Sequence, residues 1–177
     1  NAAPVHSVGG QKLVAPAEAG HVSLPVRTGE ELRLCHFVET AHGFPAIEDV
    51  LSGRGLERVY AWICEEAGTP AKADAAAIMS ACDAGDPLAV STVSTFVRFL
   101  GRVSGDLALN HLPFGGVFLA GGVARAMAPH FARFGFSDAF RDKGRFSDFM
   151  KNFPVHVIED DYAALSGSAA HLSRISA

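Results

Sequence analysis

Apolar positions recur at three- and four-residue steps along most of this chain, and a few short apolar runs interrupt them. Val93, Phe96, Val97, Leu100, Val103 and Leu107 form one stripe, the spacing of a helix that buries a single face. Asp86-Pro87 supplies an acidic cap and a first-turn proline for it, so the helix is predicted to run from there to about Asn110. Leu56, Val59, Tyr60 and Ile63 repeat the pattern and predict a helix to about Ala67 behind the turn Ser52-Gly53-Arg54-Gly55. Another helix is expected from Thr28 or Gly29 to about His42, ended by Gly43. Glu30 and Glu31 lie in its positive first turn. An alanine-rich helix is predicted from Thr69-Pro70 to near Gly85, and one from Ala124 to Phe134. Ser137 to Asn152 reads as helical pieces broken by Gly144. A last helix runs from Ala163 to about Arg174, interrupted by Gly167.

The short apolar runs read as strands: Gln11 to Ala15, His21 to Leu24 closed by Pro25, Val117 to Ala120, and Pro154 to Ile158. Ile47 to Leu51 is short and apolar. The run from Phe114 to Val123 contains the pair Gly121-Gly122. It reads as a buried strand of a parallel sheet whose glycines let a planar ligand, such as a nucleotide, approach the backbone. Strand–helix alternation predicts an α/β class. There is no internal repeat.

Length and charge narrow the function classes. The chain has 177 residues, 49% hydrophobic and 19% charged, with a net charge of −4. One domain or two small lobes are expected. The balance gives no electrostatic reason to expect nucleic acid. No apolar stretch reaches the roughly 18 residues of a membrane span, and no secretory signal is visible, so a cytoplasmic protein is expected. Cys35, Cys64 and Cys82 form no CxxC pair and are expected to be buried free thiols. The chain starts at Asn1, and its first segment reads as sheet interior, so a piece of a longer protein is expected.

Candidate chemistry is sparse. Glu18 and His21 are three residues apart. On a helix that pair would suggest a metal site, but Pro16 and Gly20 argue for a loop, where carboxylate and imidazole can hydrogen-bond a polyol. Ordinary surface residues are the alternative. Glu48 joins them only if it faces the same cleft; otherwise it is a solvated acid. Gly53 and Gly55 could place helix-start amides against an anion, or merely form a common turn with Arg54 exposed. Arg141 to Phe146 reads as a solvated loop with Phe146 tucked into the core. The small residues from Ala163 to Ala170 suit close helix packing or close ligand approach. GxxxxGK[ST] and GxGxxG loops are absent, as is any Ser/His/Asp set with local motif support.

As an ordered set, these segments resemble the bacterial glucokinase family of actin-like sugar kinases. Glu18-Ala19-Gly20-His21-Val22 is similar to the family's E-G-G-H-V, and Glu48 to Leu56 to its E-x-V-L-S-G-x-G-L. Leu107 to Asn110, Gly115 to Gly122, Asp142 to Phe146 and Leu165 to Ala169 follow in the family's order. The resemblance covers nearly the whole chain and implies an RNase H-like (actin-like ATPase) large lobe with additional helices. Residues 1–177 would be the C-terminal large domain, without the N-terminal domain. It implies that Glu18, His21 and Glu48 bind sugar hydroxyls, and that Gly121, Gly122 and Gly167, with Gly53 and Gly55, line the nucleotide side. The intact enzyme would use ATP and Mg²⁺ to phosphorylate glucose to glucose 6-phosphate, usually as a homodimer. Ala19 replaces a family glycine, and Ser166 and Ser168 stand where glycine or alanine is common. The D-x-G-G-T-N phosphate segment, the catalytic aspartate and a G-x-G-T-G loop are not in this sequence, so the chain alone is expected to be inactive, with no catalytic residue of its own. Two competing readings stand beside this one. One is a sugar-responsive regulator or dimerisation module of the same superfamily; the other is a metal-dependent hydrolase using Glu18 and His21.

Overall fold

Helix α4 (Pro87–His111) is the element around which the others pack. The structure, a computed structural model, describes residues 1–175. Asp86 caps α4 as its sequence predicts, accepting from the Ala89 N–H at 2.9 Å. Three shorter helices precede it: α1 (Gly29–Glu39), α2 (Gly53–Glu66) and α3 (Ala75–Asp83). Their caps are Thr28, Ser52 and Asp74, each accepting from a first-turn N–H, which satisfies a donor that has no partner within the helix.

Two apolar clusters share α4. Val93, Phe96 and Val97 join Leu56, Ile78, Phe136, Phe140, Met150 and Phe153 in one. Phe99 turns to the other, with Leu34 and Val38 of α1 and Val59, Trp62 and Ile63 of α2. Helix α6 (Phe136–Arg141) crosses α4 at Gly101 and Gly105. A Cβ at Gly101 would lie 2.5 Å from the Phe136 carbonyl oxygen, so these two glycines permit the approach of the helices.

Four short strands complete the described elements: β1 (Val5–Val8), β2 (Gln11–Val14), β3 (Val117–Leu119) and β4 (Val155–Val157). β1 and β2 form an antiparallel hairpin through Gly9 and Gly10, whose φ angles are +57° and +80°. This is the left-handed backbone that a two-residue hairpin turn requires. β3 and β4 pair in parallel, Val117 opposite Val155, and the crossover between them carries α5 (Gly122–Met127) and α6. The last helix is α7 (Ala163–Ile175).

Several expectations are corrected. The first segment is an exposed hairpin, not sheet interior. Residues 21–24 are not a strand: Ala19–His21 is one 3₁₀ turn, and only Ser23 makes an isolated bridge, to Ala46. The alanine-rich helix begins at Ala75 rather than Thr69, because Gly68 turns the chain at φ +72° and Asp74 provides the cap. The helix expected from Ala124 to Phe134 starts at Gly122 and gives way to a 3₁₀ turn at Ala128–His130, where Pro129 falls. Gly167 does not interrupt α7. Strand β3 is not buried: Phe118 is 58% exposed and stacks on His156 at 5.1 Å, since a two-stranded sheet leaves one face uncovered. Phe146 is 43% exposed rather than in the core. It stands edge-on to Phe149 with Arg145 over its ring. Cys64 and Cys82 are buried, but Cys35 is only half-buried.

Candidate functional site

Two separate segments are sewn together by backbone hydrogen bonds. The Ile47 N–H donates to the Val22 carbonyl at 3.0 Å, and the Leu24 N–H to that of Pro45 at 2.9 Å. The Ser23–Ala46 bridge lies between these bonds. This pairing sets the 3₁₀ turn Ala19–His21 beside a second 3₁₀ turn, Ile47–Asp49. Both turns aim polar side chains at the same place. His21 Nε2 lies 3.8 Å from Glu18 Oε2 and 3.6 Å from Glu48 Oε2, so the imidazole stands between two carboxylates. All three side chains are open to solvent, Glu48 least so at 46%.

The backbone beneath explains the spacing. Gly20 is buried under Glu48, where an added Cβ would sit 3.4 Å from Glu48 Oε2. Leu112 is the only non-glycine residue with positive φ among those described. Ala19 therefore keeps an ordinary backbone, and alanine is tolerated where the family resemblance has glycine. Asn1 was not singled out by the sequence, yet it fastens this turn. Its Nδ2 donates to Glu18 Oε2 at 2.6 Å and to the Ala17 carbonyl at 2.9 Å, and its Oδ1 accepts from the Gly20 N–H. Ser52, the cap of α2, donates its hydroxyl to the Glu48 carbonyl at 2.9 Å. No local pattern marks either support.

The glycines fall into three places. Gly53 opens α2 directly behind Ser52. Gly55 is buried against the Val50 backbone, and its Cβ would come within 2.9 Å of the Val50 Cα. Both therefore lie next to the Glu48 turn, and at Gly55 that close approach is by itself a reason for glycine. Gly121 and Gly122 are exposed where β3 passes into α5. Gly121 has φ +103°, a conformation that favours glycine. Gly167 is exposed within α7. An ion pair between Arg125 of α5 and Asp161, just ahead of α7, ties those two regions together.

Such an arrangement can accept hydrogen bonds from several adjacent hydroxyls. Among the described residues, no group of three or more His, Cys, Asp or Glu could hold a metal ion. Burial pushes the Cys35 and Cys82 thiols up, which disfavours the reactive thiolate form.

The family model described as Glucokinase matches residues 2–175. The chain belongs to the glucokinase family. It is 42% identical over 160 residues to a glucokinase of Rhizobium meliloti (strain 1021), covering 89% of this chain and 47% of that protein. The chain thus spans about half the length of the curated glucokinases it matches. Among solved structures, a glucokinase from an Antarctic psychrotroph superposes with a TM-score of 0.84 at 30% identity, over 94% of this chain and 52% of the other. A glucokinase from Balamuthia mandrillaris in complex with glucose shares the fold with a TM-score of 0.73 at 24% identity, over 85% and 45% of the two chains. The fold is that of the actin-like, RNase H-like sugar kinases, here in a mixed α/β and mostly helical form.

Proposed function

We propose that the full-length protein is an ATP-dependent glucokinase and that this chain supplies its sugar-orienting and adenosine-side groups. The observation that carries this reading is the convergence of Glu18 and Glu48 on His21 from separate turns. Each carboxylate can accept from two hydroxyls, and the imidazole can donate or accept. Together they suit a ring of adjacent equatorial hydroxyls better than a single polar atom.

Phosphoryl transfer is catalysed by positioning and by charge stabilisation, with a base aligned to the attacking hydroxyl. Glu18, His21 and Glu48 would perform the first task, holding glucose so that its 6-hydroxyl points at the γ-phosphate of ATP. The base and the phosphate-binding loops would come from the remainder of the protein, so the isolated chain is proposed to be inactive. Mg²⁺ would be held largely by the phosphates of ATP and by one or two carboxylates. Gly121, Gly122 and Gly167 would accept the adenosine side, where a Cβ would hold a base away from the backbone. The protein is proposed to work as a homodimer in the cytoplasm. The free thiols suit that compartment, and no helix among the described residues is long and apolar enough to cross a membrane.

The deciding experiment is Glu48→Gln in the full-length protein. Losing a charged hydrogen bond to a sugar hydroxyl costs about 1.5–3 kcal/mol, so the glucose KM should rise roughly 10- to 150-fold while the ATP KM stays near wild type. An unchanged glucose KM removes Glu48 from the site. Gly167→Ala probes the nucleotide side. No atom lies within 4 Å of a Cβ built there, and alanine stabilises an exposed helix by roughly 0.8–1 kcal/mol over glycine. The variant should melt no lower than wild type but show a raised ATP KM. An unchanged ATP KM would leave Gly167 no part in nucleotide binding.

A further inference from the structure

We propose that Asp49 is the positioning residue of the Glu48 carboxylate, acting through its contact to Arg58. The inference rests on the reading of Glu48 as a sugar ligand. The neighbouring acids face opposite ways. Glu48 looks out toward His21, whereas the Asp49 side chain is turned inward and is only 9% exposed. Both of its oxygens are engaged. Oδ2 accepts from the Ala46 N–H at 3.0 Å. Oδ1 accepts from Arg58 Nη1 at 3.0 Å and lies 3.5 Å from His42 Nε2.

Those partners belong to different parts of the site. Ala46 pairs with Ser23, two positions beyond His21. Arg58 rises from α2 with its side chain 28% exposed. One carboxylate therefore joins the bridge that carries His21, the turn that carries Glu48 and the helix behind both. The Ser52 hydroxyl holds the Glu48 carbonyl from the other side. Without Asp49 the turn would lose its side-chain tie to Arg58 of α2, and the Ala46 N–H would be left buried without its acceptor. Positional error near 1 Å in a substrate-orienting group costs up to about 100-fold in rate, so a loosened turn should be visible in sugar kinetics.

Asp49→Asn keeps the volume but cannot keep both contacts. Ala46 and Arg58 each present a donor, and the amide has one acceptor oxygen and one NH₂. Arg58→Met removes the partner from the partly exposed end and tests the same link where Asp49→Asn fails to fold. In the full-length kinase, each variant should raise the glucose KM about tenfold. The ATP KM should change by no more than about twofold, while kcat/KM for glucose should fall at least as far as its KM rises. The double variant should be no worse than the poorer single one, because both break one connection. Arg58→Lys, which retains a donor, should fall between wild type and Arg58→Met. Glu48→Gln is measured alongside. If it weakens glucose while Asp49→Asn and Arg58→Met leave the glucose KM within about twofold of wild type, the positioning role is overturned and the sugar site stands. A drop in melting temperature alone, with glucose KM unchanged, overturns it in the same way. If Glu48→Gln itself leaves the glucose KM unchanged, the sugar-site reading fails and takes the proposal with it.

Discussion

Gly105→Ala is expected to destabilise the protein by about 3 kcal/mol or more, at the upper end of overpacking penalties. The new methyl would collide with the Phe140 carbonyl oxygen of α6 and come within 2.6 Å of Lys143 Cε. Backbone cannot rotate away as a side chain can, so α4 and α6 would have to separate. Lys143 would be displaced too, and its ammonium now bonds Asp106 Oδ1 at 2.6 Å and the Arg102 carbonyl at 3.0 Å. Against a typical total stability of about 5–15 kcal/mol, the loss is large. It should lower Tm by roughly 6–12 °C in a protein of this size class. Thermal melting beside Gly115→Ala provides the check, because no atom lies within 4 Å of a Cβ at Gly115. Equal melting of the two variants would mean that the helix contact yields freely.

The second large effect concerns Arg102, 8% exposed in the middle of α4. Its guanidinium grips Glu31 of α1 with both arms, Nη1 to Oε2 at 2.9 Å and Nη2 to Oε1 at 2.8 Å, and also donates to the Pro25 carbonyl. Arg102→Met keeps the volume but strands the Glu31 carboxylate, whose side chain is 13% exposed. Breaking such a pair costs about 3–5 kcal/mol, whereas replacing both partners with apolar groups is often close to neutral. Urea titration should show Arg102→Met strongly destabilised and Glu31→Leu/Arg102→Met largely recovered. A double variant as weak as the single would refute the ion-pair explanation.

The same pair sets a pH response. Burial alone would push the Glu31 carboxyl up. The hydrogen bonds and charge of Arg102, with the Arg27 and Thr28 backbone, outweigh it and hold the carboxyl below its ordinary value. A depressed folded value means that the pair's contribution is complete above the unfolded value, about 4.3 for glutamate. It is lost as pH falls through the lower folded value. Acid unfolding should therefore be shallower below about pH 4.3 in Arg102→Met than in wild type.

Much of the helical framework was legible because its signals are local. Asp86-Pro87 marked the start of α4, and Val93, Phe96 and Val97 marked its buried face. Thr28, one of the two starts expected for α1, is its cap, accepting from the Glu31 N–H. Three of the errors share one cause. Residues 21–24 look like a strand by composition, yet only Ser23 finds a partner, across the chain at Ala46. Phe118 and Phe146 look like core residues because they are large and apolar, yet both are exposed. Burial depends on which neighbours cover a side chain, and a residue's type does not name them.

What the sequence by itself determined is the family, through an ordered set of motifs, and the helices whose caps and apolar stripes act within a few residues. Only the tertiary structure decided that His21 stands between Glu18 and Glu48, that Asp49 and Arg58 brace the turn beneath them, and that Gly101 and Gly105 admit α6. Each of these is a contact between segments distant along the chain. Periodicity and capping report the path of the backbone over a turn or two. The meeting of remote turns is set by packing and hydrogen bonding across the whole fold, which no single window of sequence contains.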